Sequence, residues 1–254
     1  MRTPIFAFRY FPKAVFWSRR LRGANYEPEM KLLDVLCDPT RTGVDIGAKI
    51  GMYTYRIAAR CADAIAFEPN PLFNRMLTRV FAGKRARIEP FALSNVQGTA
   101  VMRLPYDHNG TRQFGRSTID PANPLVHNQI ARVEEIEVET RRLDDYALSN
   151  VGFIKIDVEG HELSVLEGAA ETVARNSPVM LIECNDHHRP AATRDLAAWL
   201  GAHDYGAWFR DGKQLRSLDT LDDDARARGI ENFMCVPRSR ADVHEKLVAR
   251  VAAT

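Results

Sequence analysis

The chain is short of cysteine, of net charge and of long apolar runs, and each shortage closes off a class of protein. Four cysteines occur in 254 residues, Cys37, Cys61, Cys184 and Cys235, with no paired spacing. They fit reduced core thiols in a reducing compartment, not a disulfide frame or a zinc site. A formal net charge of +2 argues against a dedicated nucleic-acid binder, which would carry a strongly basic face. No apolar run approaches the ~20 residues of a membrane-crossing helix. Basic residues interrupt every apolar stretch near the start, so no secretory leader is expected and the cytoplasm is the default location. Repeats and low-complexity tracts are also missing. What remains, 45% hydrophobic and 27% charged, describes a soluble α/β domain with a substantial core and some additions.

One shortage is local. Residues 1–25 contain no acid; Arg2, Arg9, Lys13, Arg19, Arg20 and Arg22 all precede the first one, Glu27. Phe6, Phe8, Tyr10, Phe11, Phe16 and Trp17 lie between them. Such a segment can rest on an anionic membrane or glycolipid surface. It can also dock its aromatics on the rest of the chain or on a second copy, the simpler expectation, which leaves a homo-oligomer open. Residues 1–25 are therefore set apart as an extension, 26–238 as the main domain and 239–254 as a terminal helix, expected to be a solvated cap.

Glu27-Pro28-Glu29 starts a helix through Leu36, with proline and acids in its first turn. Strands are expected from Gly43, over 64–67 and over 87–93, with helices over 51–60 and 71–81 between them. This alternation argues a doubly wound, mostly parallel sheet. After Ser94 the pattern changes to period two, over 99–104 and 136–142, which predicts an antiparallel insertion. Between those strands lies a polar loop, 105–129, carrying His108, Arg112, Arg116, Ser117, Thr118 and His127. A loop of this length is expected to be a lid or a substrate-selecting segment. Further strands are expected over 153–158, 179–182, 205–209 and 232–236, and helices from His161, over 191–200 and over 240–251.

The stretch that organises this pattern is Val44-Asp45-Ile46-Gly47-Ala48-Lys49-Ile50-Gly51-Met52-Tyr53-Thr54. A strand, a glycine turn and a helix start cradle a nucleoside-bearing cofactor, because free backbone N–H groups face whatever lies above the turn. Glu68 ends the next strand, where a carboxylate can accept from ribose hydroxyls. Ala48 and Lys49 stand where a nicotinamide fingerprint wants glycine, and Asp45 sits poorly beside a pyrophosphate. Asp45 suits the cationic amino-acid end of S-adenosylmethionine instead. An NAD-dependent oxidoreductase is the alternative, and a cofactor-binding chain without catalysis is a second.

A second string, Phe153-Ile154-Lys155-Ile156-Asp157-Val158-Glu159-Gly160-His161-Glu162, precedes Val165-Leu166-Glu167-Gly168. Together with 44–54, Phe67-Glu68-Pro69-Asn70-Pro71 and Ala92-Leu93-Ser94, it resembles the FkbM family of S-adenosylmethionine-dependent methyltransferases, over roughly residues 26–185. Lys49 departs from the resemblance, since the family usually has Asn there, and so does Asn95. The resemblance implies a class I (Rossmann-like) methyltransferase fold and O-methylation of a sugar, glycolipid or other glycoside. It implies that Asp45, Gly47 and Gly51 line the methionine end, with Tyr53 or Thr54 nearby. Glu68 would take the ribose hydroxyls with Asn70, Ser94 would adjoin the adenine, and Asp157 would sit by the sulfonium.

Methyl transfer to a hydroxyl needs in-line alignment and, usually, a proton acceptor. Asp157, Glu159, His161 and Glu183, in two strand-end turns, are the catalytic candidates. Glu159 and Glu162 also suit a helix's first turn with no catalytic role. Arg116, Ser117, Asn185 and His187 are the acceptor-binding candidates. A divalent metal on Asp157, Glu183, His187 and His188 is chemically conceivable but not favoured, since adjacent histidines diverge.

Overall fold

The computed structural model describes residues 5–21, 27–125 and 130–254. Arg2, Arg22 and His127, named above, lie outside the described residues.

In chain order the elements are helices α1 (Ile5–Tyr10), α2 (Pro12–Leu21) and α3 (Leu33–Leu36), strand β1 (Thr42–Ile46), α4 (Met52–Ala58) and β2 (Asp63–Phe67). Then come α5 (Pro71–Phe81), β3 (Ala86–Glu89), β4 (Ala92–Leu93), β5 (Gly98–Asp107), β6 (Ile130–Arg141) and β7 (Val151–Ile156). The chain continues through α6 (Glu162–Glu167), α7 (Ala170–Asn176), β8 (Val179–Glu183), α8 (Ala192–Ala202) and β9 (Tyr205–Asp211). It ends with β10 (Gln214–Ser217), α9 (Asp223–Ala227), β11 (Asn232–Pro237) and α10 (Ala241–Ala252).

An eight-stranded sheet runs β10-β9-β11-β8-β7-β1-β2-β3. The five strands from β8 to β3 pair in parallel, while β11 is antiparallel to both its neighbours. Strand order reverses at β1, whose neighbours are β2 and β7, and such a switch point opens a crevice at the strands' carboxyl ends. Both faces of the sheet are covered, which is why its central strands are largely apolar, with Asp45 and Lys155 the buried charged residues of β1 and β7. Val44, Ile46, Ile154, Ile156, Met180 and Ile182 fill one core layer. Ala64, Ala66, Phe153, Val179 and Leu181 face the other, with α4 and α5. The amphipathic α5 buries Phe73, Met76, Leu77, Val80 and Phe81, each contributing about 1.5–3 kcal/mol.

Several sequence expectations are corrected. The single strand over 87–93 divides: β3 stays in the main sheet, while β4 pairs with β6 in a separate three-stranded sheet, β4-β6-β5. β5 extends to Asp107 and β6 begins at Ile130, so the loop over 105–129 is partly hairpin. Its described part folds back, with Thr118 bridged to Arg103 and Arg112 to Tyr106. The helix after Glu27 is a 3-10 turn, Pro28–Lys31, followed by the one-turn α3. The last helix is not merely solvated, because Val243, Leu247 and Val251 are buried. In the first segment Phe8, Val15 and Phe16 are buried, and Phe16 packs edge-on against Phe81 with ring centroids 5.9 Å apart.

Asn176 fastens the last turn of α7 to the start of β7. Its side chain accepts from the Val151 N–H at 3.0 Å and donates to the Leu148 and Thr172 carbonyls at 2.9 and 2.8 Å. Asn176→Ala strands these buried groups and should lower stability by about 2–3 kcal/mol in urea unfolding. A loss within ~0.5 kcal/mol would show that the fastening is dispensable.

Candidate active site

Three contiguous hollows form one groove along the carboxyl ends of β1, β2, β7 and β8. The first is an apolar slot walled by Phe67, Phe73, Phe91, Leu93, Met102 and Phe114, with Glu68 and Asn70 at its polar side. The second lies over the β1 turn and takes in Asp45, Lys49, Tyr53, Lys155, Asp157 and Glu183. The third is polar, with Arg116, Asn123, Asn185, His187 and His188 among its walls. Lys49 and Asp157 border both the first and the second hollow, and Glu159 and Glu183 border both the second and the third.

The turn after β1 has its shape because Gly47 is in the left-handed region, φ 81°. A Cβ at Gly47 would lie 1.9 Å from the Asp157 carbonyl oxygen, so only glycine lets the ends of β1 and β7 approach. Gly51 is also left-handed, but the space a Cβ would need is taken by Leu77 and Phe81. That glycine serves helix packing and does not line the groove. The Glu68 carboxylate accepts from the Lys49 N–H at 2.7 Å and the Asn70 N–H at 2.8 Å. Each oxygen keeps acceptor capacity. The Asn70 side-chain Nδ2 is buried and has no protein partner, so the slot offers an unspent donor beside a carboxylate.

At the groove's centre Lys49 and Glu159 are both non-glycine residues with left-handed backbone, φ 49° and 56°. Each such residue costs about 1–3 kcal/mol and persists where its surroundings hold it. Here the two side chains meet. Lys49 Nζ lies 2.8 Å from Glu159 Oε1 and 3.1 Å from Asp157 Oδ2, and 27% of its side chain is exposed. The Glu159 carbonyl accepts from Thr118 Oγ1 at 2.8 Å and Asn123 Nδ2 at 2.7 Å, tying the folded-back loop to this turn. Glu159 Oε2 is also 3.3 Å from His188 Nε2.

Asp45 is buried, accepts from the Thr54 hydroxyl and pairs in register with Lys155. Lys155 is 1% exposed, with Nζ 3.2 Å from the Ile156 carbonyl and 3.8 Å from Glu183 Oε2. Burial lifts Asp45 to about 6. It also lifts Glu68, Glu159 and Glu162 to about 7 each, and with the Asp157 charge it pushes Glu183 well up. Burial opposes the charged form of Asp157 too, but Lys49 and Lys155 more than offset it and hold that carboxyl low. Oxygens of Asp157, Glu159 and Glu183 lie within 4.8 Å of one another, close enough for a cation, and Lys49 brings its ammonium against two of them.

The groove thus gathers twelve of the expected residues: Asp45, Gly47, Tyr53, Glu68, Asn70, Asp157, Glu159, Glu183, Arg116, Ser117, Asn185 and His187. Ser117, expected at the acceptor, stands in the apolar slot. Thr54 is fully buried behind Asp45, and Tyr53 points its hydroxyl at Glu27 Oε2, 2.7 Å away. Ser94 and His161 bond to each other at 2.9 Å and do not border the groove. His161 instead stands at the N-terminal boundary of α6, with no side-chain bond to the helix, and faces Asp120 at 3.7 Å. Glu162 accepts from the Gly160 N–H at 2.9 Å, the structural role open to it in a first turn. The Lys49 ammonium, Lys155 and the aromatic slot walls were missed as site residues, and His188 was considered only as a ligand of a metal that is not favoured. Strand alternation puts Lys155 on the same face as Asp157, a usable signal; nothing local places Phe114 in the slot.

Residues 45–207 match the Methyltransferase FkbM domain. A 2-O-methyltransferase, NoeI of Sinorhizobium fredii, is 30% identical over 161 residues, covering 59% of this chain and 61% of that protein. Methyltransferase 1 of Beauveria bassiana is 26% identical over 151 residues, covering 49% of this chain and 57% of that protein. The chain therefore spans about three-fifths of the length of these curated relatives. The crystal structure of Methyltransferase FkbM from Methylobacillus flagellatus superposes with a TM-score of 0.50 at 19% identity, over 77% of this chain and 44% of that one, a likeness of fold.

The raised carboxyls carry a pH signature. Glu68, Glu159 and Glu162 at about 7 and Asp45 at about 6 bind protons more tightly folded than unfolded, where Glu titrates near 4.5 and Asp near 3.8. Their stabilisation is complete below those unfolded values and is lost as pH rises through about 6–7. The urea midpoint of the ligand-free chain should therefore fall from pH 5 towards 7.5, and Glu162→Gln should flatten part of that slope. A midpoint that climbs over this range in the unaltered chain would contradict the raised values.

Proposed function

The chain belongs to the FkbM methyltransferase family, and on that premise we propose that it moves the methyl group of S-adenosylmethionine onto a hydroxyl of a sugar or glycoconjugate. The observation that carries this reading is the charge of the groove. Four carboxyls, Asp45, Asp157, Glu159 and Glu183, stand with Lys49 and Lys155 around the β1 turn, with Arg19, Arg112 and Glu27 further round the same hollow. Carboxyls that can ionise as positive charge enters suit a ligand bearing a sulfonium and an ammonium, and suit the pyrophosphate of a nicotinamide cofactor poorly.

The residues present fit such a cofactor. Phe67, Phe91, Leu93 and Met102 offer apolar walls to an adenine, Glu68 and Asn70 an acceptor and a donor to ribose, and Asp45 a counter-charge to the amino-acid end. S-adenosylmethionine supplies an activated methyl group to any nucleophile aligned behind it. The third hollow receives the acceptor, with Arg116, Asn185 and His187 to hold hydroxyls. Glu159 stands between the two compartments, and at about 7 it is suited to taking the hydroxyl proton. Lys49 balances the carboxylate and so sets where it titrates; His188, against its other oxygen, gives the proton an exit towards the acceptor side. This chemistry needs no metal. The name of the Sinorhizobium fredii relative, a 2-O-methyltransferase, supports oxygen as the acceptor atom.

Calorimetric titration with S-adenosylhomocysteine, beside parallel runs with NAD and with magnesium, tests the cofactor. S-adenosylhomocysteine alone should bind at micromolar strength, and binding of NAD instead would return the groove to an oxidoreductase. Cofactor affinity without transfer to any saccharide would mark a binding subunit. Glu68→Ala should weaken S-adenosylhomocysteine several-fold, on the order of 1–2 kcal/mol, with cooperative unfolding retained; unchanged affinity removes Glu68 from the ribose contact. Glu159→Gln should depress turnover with little change in cofactor binding. Lys49→Met removes the cation that favours the ionised base, so the acidic limb of the pH–rate profile should move upward by about one unit. An unmoved limb in that variant refutes the pairing as the control on the base.

A further inference from the structure

The helices at the start of the described chain are apolar on two sides, and only one side is satisfied. The inner side packs: Phe8 meets Phe73 at 5.8 Å and Phe16 meets Tyr55 at 5.8 Å. The outer side carries Phe6, Tyr10, Phe11 and Leu21, between 58% and 79% exposed, and at its edge Trp17, 38% exposed, packs against Tyr55. These are five of the nine large apolar side chains exposed among the described residues, and they include every exposed aromatic. An exposed patch of large apolar side chains marks a surface that meets a second phase or partner.

The surrounding charge selects the partner. Arg9, Lys13 and Arg20 are exposed on the same helices. Arg79 of α5 donates to the Arg9 carbonyl at 2.6 Å and borders a shallow hollow with Tyr10, Phe11 and Lys13. Lys84 lies 5.7 Å from the Trp17 ring centroid. Residues 1–26 contain no acid to neutralise this face. We propose that α1 and α2 form a docking face for an anionic membrane surface, with Phe6, Phe11 and Leu21 entering the headgroup region and the cations pairing with lipid phosphates. A protein groove would be expected to meet so basic a face with acids of its own, whereas a bilayer meets it with a uniform sheet of negative charge.

This face is joined to the groove. Phe8 and Arg19, on the inner side of the same helices, border the hollow that holds Asp45 and Lys49. Docking therefore brings the wall of the site to the lipid surface, and the acceptor it favours is a saccharide carried on a lipid. That last step rests on the methyltransferase reading; the docking itself does not.

The test is co-sedimentation of the full chain with vesicles of pure phosphatidylcholine and with equimolar phosphatidylcholine and phosphatidylglycerol. The anionic vesicles should bind the protein, the neutral ones should not, and added salt should release it. Lys13→Glu, and separately the double variant Phe11→Ser with Leu21→Ser, should each weaken binding on the order of tenfold. None of these residues borders the groove, so S-adenosylhomocysteine binding should be unchanged in every variant. Absence of binding to anionic vesicles overturns the proposal, as does a wild-type dimer in sedimentation velocity that Phe11→Ser dissociates without any vesicle uptake. Vesicle binding by a chain that fails to bind S-adenosylhomocysteine would keep the docking face and remove the methyltransferase reading.

Discussion

The meeting of the Lys49 ammonium with Asp157 and Glu159 is the interaction on which the rest of the site depends. Four carboxyls at the carboxyl ends of β1, β7 and β8 face one hollow, and burial alone would drive them to the neutral state. Lys155 reaches them from beneath, within the sheet, and Lys49 reaches them from above, out of the glycine turn. The two lysines hold Asp157 ionised while burial leaves Asp45 and Glu159 titrating near neutrality and pushes Glu183 well up. Breaking one buried pair would leave an uncompensated charge, which is the expensive outcome in such clusters.

Backbone strain follows from that arrangement. A residue between two left-handed glycines would most easily be glycine or asparagine, which tolerate positive φ. Lysine is held at Lys49 by what its side chain finds, two carboxylates at 2.8 and 3.1 Å. On the facing turn Glu159 is held in turn by Thr118 and Asn123, which grip its carbonyl. The folded-back loop therefore anchors the backbone of the residue whose carboxylate borders the third hollow, although it contributes no charge at that point.

Much of this architecture was legible in the chain because local rules and the tertiary fold agree there. Strand period, glycine turns and helix starts located β1, α4, β2, α5, β7 and β8 to within a few residues, and strand-end logic brought Asp45, Glu68 and Asp157 to one crevice. Failures occurred where distant residues decide. The stretch 87–93 is locally uniform, yet its two ends join different sheets because β6, some forty residues later, offers Leu93 and Ala92 a partner. Ser94 and His161 each sit in a promising motif, but they satisfy one another and leave the groove to others. In the sequence Lys49 is only a departure from the usual cofactor turn; the third dimension shows that its side chain has acids to meet.

The charge balance also bears on why a cofactor turn would tolerate lysine at all. A sulfonium ligand would bring positive charge to a hollow that already contains Lys49 and Lys155 and, further round, Arg19 and Arg112, and only carboxyls that ionise in response keep that entry favourable. Four ionised acids together would be a liability without that charge, since they repel one another. Raised proton affinities relieve it: Asp45 and Glu159 can hold protons when the cavity is empty and release them when cationic charge enters. Binding of the methyl donor would then do more than place a reactive group. On the proposed reading it would shift Glu159 towards the ionised form that a hydroxyl acceptor requires, so that the proposed base becomes competent when there is a methyl group to transfer.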